Sequence, residues 1–440
     1  MTGSSSKARE GFFCRQRNTL LLSAAFLLIF ISQNYFECSF TFIFGGDIKS
    51  VGQKANSIRK ISQGLVNIVG IGIVNYFGYA TSFIAGTAVA YPLIFIAAYI
   101  QNKAAHEVAL IQISPLLKTL LWIFSFVQGA GHSIIWIAQG CYIGSVIEGI
   151  HCPEAFSLFA FFYNFSYPCG SVLMKYIKFS NSDKYTTGLI VVCSMSFLAL
   201  PFYLLLKKQS ISRESRGSLF PFTRANLGAN LKDYFDIFPS TLFMGVVIGF
   251  IGSQFARPLI DDKGLGGKIF FFFLFYGLSA CVASIMGSFL MKPKNLWVFA
   301  IAACVLHAGA IGMYQYAFLK VGKPLEMSVD QLGYLCYAYA TCYGLASSTY
   351  ITLMFTLVAL RYEKNMGFAM WSFQVLNCLA TGIATYTLEG RVVAIFSVFG
   401  ALGYGSVFYT LFRIHRMRQQ LQSEGSKEMS SKNEFPESNY

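Results

Sequence analysis

The sequence predicts an all-α membrane protein with twelve transmembrane helices in two six-helix lobes. The first observation is its composition: 55% of its 440 residues are apolar and 12% are charged, against about 25% charged in an average soluble protein. A soluble chain of this size could not cover so much apolar surface, and disordered chains have the opposite composition. The other two observations are the long charge-free runs and one polar stretch that divides them equally.

The charge-free runs locate the helices, because a membrane span needs about 20 predominantly apolar residues. One run is twice as long as a single span, so it predicts two helices with a turn near residues 81–86. Continuous runs of this length favour helices over barrel strands, which alternate over about 10 residues. The runs are 18–36, 61–102, 119–147, 155–174, 185–206, 237–256, 269–291, 295–319, 331–360, 365–388 and 392–412.

The longest interior polar stretch, residues 207–236, divides the twelve spans into six and six. The predicted order is therefore an N-terminal segment at 1–18, a lobe at 19–206, a central loop at 207–236, a lobe at 237–412 and a disordered tail at 413–440. The side that holds both termini and the central loop carries 19 of the 34 Lys and Arg residues, and the other side carries 15. The positive-inside rule then places both termini in the cytoplasm, although it does not distinguish the plasma membrane from an internal one. This flanking charge accounts for most of the net charge of +14, so nucleic-acid binding is not indicated.

Polar residues inside membrane spans are costly and mark candidate sites. Gln33, Asn34 and Glu37 lie late in the first span, on one helical face. If this helix continues to about Phe44, Glu37 lies within the membrane and faces a cavity or a partner. If the helix ends near Phe36 instead, Glu37 sits at the membrane interface.

A second polar stripe lies in the fourth span, where His132, Trp136 and Gln139 follow i, i+4, i+7 spacing. These side chains could line a cavity with aromatic and hydrogen-bonding groups, or they could form hydrogen bonds between packed helices. Together with the three residues of the first span, they are the candidate lining of a central cavity.

The sequence carries no catalytic signature, no cofactor motif and no metal-ligand cluster, so no enzyme activity is predicted. The eleven Cys residues are scattered, mostly within spans, which favours a packing role. The charge-free runs leave no charged residue at the centre of any span. This pattern favours a neutral, amphipathic or aromatic solute, since transporters of strongly charged solutes place a counter-charge there.

Residues 129–142, GAGHSIIWIAQGCY, combine a small-residue run with Ile-Trp and Ala-Gln-Gly. This stretch resembles a signature of the Unc-ninety-three-like family, a branch of the major facilitator superfamily often labelled ion channel regulatory protein. The resemblance implies a twelve-helix, two-lobed bundle without enzyme activity. The sequence departs from the pattern at His132, where the family usually has a small residue. It also lacks the superfamily's charged gating motif between the second and third helices.

Two functions remain open on the sequence. The first is a transporter that moves a neutral or amphipathic small solute by alternating access between the two lobes, a mode that the two-lobed architecture favours. The second is a non-transporting regulatory subunit or trafficking partner of a potassium channel or a membrane receptor. The missing gating motif and the family label favour this second function.

Overall fold

The computed structural model describes residues 12–43, 49–90, 115–147, 151–176, 182–208, 234–256, 258–259, 268–292, 294–320, 328–362, 366–388 and 391–433. Within these residues, 93% of the chain is helical and none forms a strand. The predicted all-α fold of twelve helices in two lobes is confirmed. Six helices are each long and apolar enough to cross a membrane by length and composition.

The twelve helices follow one another along the chain and are numbered in that order. A one-turn helix, Leu200–Leu204, continues α6, and a 3-10 turn, Phe235–Ile237, precedes α7. The helices are α1 Phe12–Ile43, α2 Lys49–Phe77, α3 Tyr79–Ala90, α4 Pro115–Val146, α5 Cys152–Tyr176, α6 Ser182–Phe197, α7 Phe238–Ser253, α8 Ile269–Leu290, α9 Leu296–Lys320, α10 Val329–Arg361, α11 Met366–Thr387 and α12 Val392–Asn433.

The boundary between α2 and α3 differs from the sequence prediction. Residues 81–86, expected to form a turn, are helical, and the chain breaks at Gly78 instead. Gly78 has a φ of 81°, a left-handed conformation that costs a residue with a Cβ about 1–2 kcal/mol. A single glycine therefore separates the two helices without a polar loop.

The start of α2 is a second correction. Residues 49–60, expected to belong to a loop, are helical, so Arg59 and Lys60 lie near the middle of α2. The charges had been interpreted as span ends, but the Arg59 side chain is only 4% exposed and is directed into the protein. Charged residues therefore lie within α2, ahead of the charge-free run that was expected to form the span.

The end of α12 is a third correction. The helix continues to Asn433, although the sequence predicts a disordered tail from residue 413. The segment is rich in Arg, Gln, Met, Glu and Lys, which are good helix formers. A polar helix can extend beyond the membrane because its backbone hydrogen bonds are satisfied internally.

The two lobes have the same internal packing. In the N-terminal lobe, α1 packs on α5 and α6, and α2 packs on α4. In the C-terminal lobe, α7 packs on α11 and α12, and α8 packs on α10. Adding six to each helix number converts the first set of pairs into the second, which is the relation expected of repeated six-helix halves.

Small residues allow close packing within the C-terminal lobe. The Gly245–Gly249 pair on α7 faces α11, where a Cβ added to Gly249 would lie 2.8 Å from the Cβ of Ala384. This small-x-x-x-small pair therefore lets α7 and α11 approach each other closely.

Two long helix pairs join the lobes. One pair is α2 with α11, and the other is α5 with α8. The six-helix shift relates these pairs as well, since α2 corresponds to α8 and α5 corresponds to α11. The lobe interface is therefore pseudosymmetric, and it surrounds the candidate site.

Candidate functional site

A cavity of about 80 Å³ lies between the lobes. One water needs roughly 10–15 Å³ of cavity volume, so the cavity has room for roughly five to eight waters. A group of this size is comparable to one aromatic ring with a small substituent. Both lobes contribute to its wall. The lining residues are Lys60 and Gln63 of α2; Trp136 of α4; Phe156, Phe159, Ala160, Tyr163, Asn164 and Tyr167 of α5; Met244, Ile248 and Ile251 of α7; Tyr276 of α8; Ile351 and Phe355 of α10; and Gln374, Asn377, Cys378 and Thr381 of α11.

One wall of the cavity is polar and is formed by α2 and α11. Lys60 and Gln63 lie three residues apart on α2, and Gln374, Asn377 and Thr381 follow helical spacing on α11. The amide oxygens Oε1 of Gln63 and Oδ1 of Asn377 are buried and have no hydrogen-bond partner in the described part of the chain. Such unsatisfied buried groups leave hydrogen-bonding capacity for water or a solute.

Much of the remaining lining is aromatic. The Trp136 ring makes edge-to-face contacts with Phe159 and Tyr163, with centroid distances of 5.9 and 5.4 Å. Across the lobe interface, the rings of Phe156 and Phe355 stack at 5.1 Å. The lining therefore combines aromatic rings with the polar groups of α2 and α11, so the cavity is amphipathic.

Asn164 both lines the cavity and links the lobes. Its Nδ2 donates to Ser284 Oγ of α8 at 3.1 Å and to Ser348 Oγ of α10 at 3.0 Å. The two serine hydroxyls are themselves 2.8 Å apart. A buried network of three side chains therefore joins one helix of the first lobe to two helices of the second.

The lobes also touch at both ends of the cavity. Along α2 and α11, Ser57 Oγ donates to the carbonyl oxygen of Gly382 at 2.7 Å. At the opposite end of this helix pair, Trp371 Nε1 donates to the carbonyl oxygen of Ile68 at 3.1 Å. In the described part of the chain, this helix pair therefore stays in contact on either side of the cavity.

The α5–α8 pair is also in contact on both sides of the cavity. Near the start of α5, a Cβ added to Gly287 would lie 3.1 Å from Ser157 Oγ. Near the end of α5, Lys175 Nζ lies 5.0 Å from the centre of the Phe270 ring. Each of the two helix pairs is therefore in contact on both sides of the cavity.

Of the six residues predicted to line a central cavity, the structure places Trp136 in the lining. Two others, Gln33 and Asn34, are buried on α1, where Asn34 Nδ2 donates to Ser166 Oγ of α5 at 2.6 Å. The helix around Glu37 continues to Ile43, as the functional interpretation required, but the Glu37 side chain lies outside the described residues.

The remaining two predicted residues are buried inside the N-terminal lobe. The His132 ring lies 5.8 Å from the Phe30 ring, and its Nδ1 has no hydrogen-bond partner among the described residues. Gln139 is fully buried, and both its amide atoms lack a partner in the described part of the chain. His132 and Gln139 are not among the described lining residues, so the α4 stripe meets the cavity at Trp136.

The six residues predicted from the sequence leave out several polar lining residues, including Lys60 and Asn164. Lys60 was placed outside the span that begins at residue 61, because spans were defined by the absence of charge. Asn164 lies inside the charge-free run 155–174. Its position as a buried amide in a membrane helix was the signal that could have identified it.

The fold is similar to that of several solved membrane transporters, among them FucP, which is described as a major facilitator superfamily transporter. The chain superposes on the human organic anion transporter MFSD10 (TETRAN) with a TM-score of 0.61 at 11% sequence identity, covering 90% of this chain and 99% of that one. For a bacterial homologue of the iron transporter ferroportin, the TM-score is 0.59 at 15% identity, with coverages of 92% and 100%.

A further similar structure is the Escherichia coli fucose:proton symporter FucP. Its TM-score is 0.58 at 14% identity, covering 91% of this chain and 98% of that one. The sequence matches no protein-family model and no curated protein. At these identities the likeness establishes the fold of the chain, while the function has to be argued from the site.

Proposed function

We propose that this protein is a transporter that carries a small amphipathic solute across a membrane by alternating access. One observation carries the proposal: an amphipathic cavity at the interface of two six-helix lobes, lined from both of them. Sites of this kind lie between the repeats of secondary transporters, where rocking of the lobes exposes the solute to each side in turn.

The contacts between the lobes fit such a motion. The α2–α11 and α5–α8 pairs touch on both sides of the cavity, so the two lobes are in contact along these pairs in this conformation. Separating the lobes at one end while keeping them together at the other would open the cavity to one side. The names of the similar structures describe transporters of organic anions, fucose and iron, which supports a transport function for this fold.

The solute class follows from the two walls. Aromatic rings favour a flat apolar body, and the α2–α11 wall offers hydrogen bonds to a polar end. The neutral or amphipathic solute expected from the sequence stays a prediction, and Lys60 is a charged residue of the lining. The Unc-ninety-three-like resemblance, the channel or receptor partner and the cytoplasmic termini stay predictions of the sequence.

The experiment is solute counterflow in liposomes containing the purified protein, with a panel of small aromatic and amphipathic compounds. We expect Ala160→Phe, which fills the cavity from α5, to abolish counterflow. The matched control is Ala302→Phe, the same substitution at an exposed position of α9, which should leave counterflow unchanged. Melting temperatures of both variants show that each is folded.

Full counterflow by folded Ala160→Phe would exclude this cavity as the solute path. If no compound is carried, while removal of the protein lowers the current or surface level of a channel, the regulatory-subunit function is supported instead. Filling the cavity should therefore abolish counterflow by a transporter, whereas it should leave the effect of a regulatory subunit on its channel unchanged.

A further inference from the structure

We propose that a crevice between α9 and α12 binds a steroid-like lipid, which carries a hydrogen-bonding oxygen at each end of a flat, rigid body. The crevice measures about 460 Å³, within the range of about 300–1,000 Å³ that is usual for drug-sized ligands. Among the described residues, it shares none of its lining with the central cavity. It is therefore a second site, and the inference does not depend on the proposed transport function.

The crevice exists because α9 and α12 each pack mainly on another helix, α9 on α10 and α12 on α7. The two helices meet at Trp297 and Phe408, whose rings stack at 5.7 Å, and again at His307 and Tyr404. Further along α9, a Cβ added to Gly312 would meet no described atom within 4 Å. Beyond His307, space is therefore left between the two helices.

The crevice opens on a surface that suits lipid. α9 and α12 are the two least buried of the six helices that are long and apolar enough to cross a membrane. Their exposed side chains are mostly apolar, including Val305, Val398 and Leu402. The described lining contains no charged side chain, so the phosphate of a phospholipid headgroup finds no counter-charge there. These features favour a neutral ligand that enters from the bilayer.

A buried polar pair lies at one end of the crevice. His307 Nδ1 and Tyr404 Oη are 2.6 Å apart, and His307 is 3% exposed. The other ring nitrogen, Nε2, is buried and has no hydrogen-bond partner in the described part of the chain. Depending on the tautomer, Nε2 carries either an N–H or a lone pair, and a hydroxyl group can bond to both. The pair therefore suits a ligand hydroxyl.

Gln315 lines the crevice further along α9. It lies eight residues after His307, which corresponds to about 12 Å along the helix at about 1.5 Å per residue. Its amide can donate or accept a hydrogen bond. A steroid carries its two end oxygens on a rigid four-ring body of similar length, so one molecule can reach both polar positions.

The lining between these positions consists of small residues and rings. Gly312 of α9 and Gly400 and Ala401 of α12 have no side-chain atom beyond Cβ. Phe243 and Phe396 contribute rings that meet edge to face at 5.8 Å. A rigid ring system loses little conformational entropy when it binds such a surface, whereas a flexible acyl chain loses more. The lining therefore favours a steroid body over an acyl chain.

The test uses three ligands with the same four-ring body. Androstanediol has a hydroxyl group at each end, androstanol has one hydroxyl group, and androstane has none. Binding of tritiated androstanediol to the full-length protein in lipid nanodiscs is measured by scintillation proximity, and the other two compounds compete with it. We expect each hydroxyl group to tighten binding about two- to tenfold, as expected for a neutral hydrogen bond.

One variant tests the place of binding. Gly312→Phe fills the crevice from α9 and should abolish binding of androstanediol. The matched control is Gly309→Phe on the same helix, where an added Cβ also meets no described atom within 4 Å. Gly309 does not belong to the described lining, so this variant should bind as the unmodified protein does. Melting temperatures show that both variants are folded.

A paired substitution tests the polar end. His307→Leu with Tyr404→Phe removes both partners of the buried hydrogen bond, so neither is left unsatisfied. This double variant should bind androstanediol and androstanol with equal affinity. The control is Thr87→Val with Tyr203→Phe, a buried pair of the N-terminal lobe in which Thr87 Oγ1 donates to Tyr203 Oη at 3.4 Å. The control should keep the preference for androstanediol.

Several outcomes would overturn the inference. Equal affinity for androstane and androstanediol would mean that the crevice accepts any apolar chain from the bilayer. Binding that survives in folded Gly312→Phe but is lost in Ala160→Phe would place the ligand in the central cavity instead. Absence of androstanediol binding to the folded, unmodified protein would exclude the site. None of these results decides the transport function, which solute counterflow tests separately.

Discussion

At the scale of single residues, Asn164 holds the two lobes together. Its amide donates to Ser284 and Ser348 in a buried setting, and interhelical hydrogen bonds in membranes contribute about 0.6 to 2 kcal/mol. We expect Asn164→Ala to lower the free energy of unfolding. In a double-mutant cycle with Ser348→Ala, the coupling should be on the order of 1 kcal/mol.

The measurement for this cycle is denaturant or thermal unfolding in detergent. Ser194, which donates to the carbonyl of Ile190 on its own helix at 2.7 Å, provides the comparison. Ser194→Ala should show no coupling to Asn164→Ala because the two sites share no partner. A zero coupling between Asn164 and Ser348 would mean that the hydrogen bond does not stabilise the lobe interface.

The residue scale also shows how far the sequence could predict the site. Trp136 was identified because a polar stripe at helical spacing surrounds it, and the structure places it in the cavity. Lys60 was missed because a window defined by absence of charge must end at a lysine, whether the helix ends there or not. Gln33, His132 and Gln139 also follow helical spacing, but they are buried between helices and do not appear in the cavity lining. Spacing shows which residues share a helical face, but it does not show whether that face meets the cavity or another helix.

At the scale of elements, the contact between α5 and α8 depends on Gly277. A Cβ added there would lie 2.9 Å from the Cβ of Tyr167 and would overlap the ring of Pro168. Since a proline ring cannot turn away, Gly277→Ala should cost about 1–3 kcal/mol through overpacking. Gly309 on α9 has open space around it, so Gly309→Ala should be neutral or stabilising by up to about 1 kcal/mol.

These two variants carry the same chemical change in two helices, so their melting temperatures can be compared directly. The difference isolates packing from helix propensity. Equal melting temperatures would show that α5 and α8 are not in close contact at Gly277. A lower value for Gly309→Ala than for Gly277→Ala would contradict the packing argument altogether.

Helix existence was predictable at this scale, but helix ends were not. Apolar runs identify a helix because burial in lipid demands satisfied backbone groups. The ends follow other rules: Gly78 ends α2 through its backbone conformation, while α1 continues past Phe36 and α2 begins before Arg59. Charged residues can stay inside a helix that faces protein, so charge alone marks its boundary poorly.

At the scale of the whole molecule, the pseudosymmetric interface makes a mechanical prediction. The lobes touch near one membrane face through Ser57 and Gly382, and near the other through Ser157 and Gly287. Alternating access requires each contact to open in turn. A covalent link at either end should therefore stop transport.

The test introduces a cysteine pair at one end, Ser57→Cys with Gly382→Cys, or at the other, Ser157→Cys with Gly287→Cys. Oxidation should abolish solute counterflow in both double variants, and a reductant should restore it. Each single-cysteine variant, oxidised in the same way, controls for the eleven native Cys residues. Because a disulfide requires Cβ atoms about 3.5–4.5 Å apart, efficient cross-linking itself verifies these contacts between the lobes.

Unchanged counterflow with either link formed would exclude a rocking motion that separates the lobes at that end. A static scaffold that regulates a channel has no need of this motion, so it would keep its effect on the channel with both links in place.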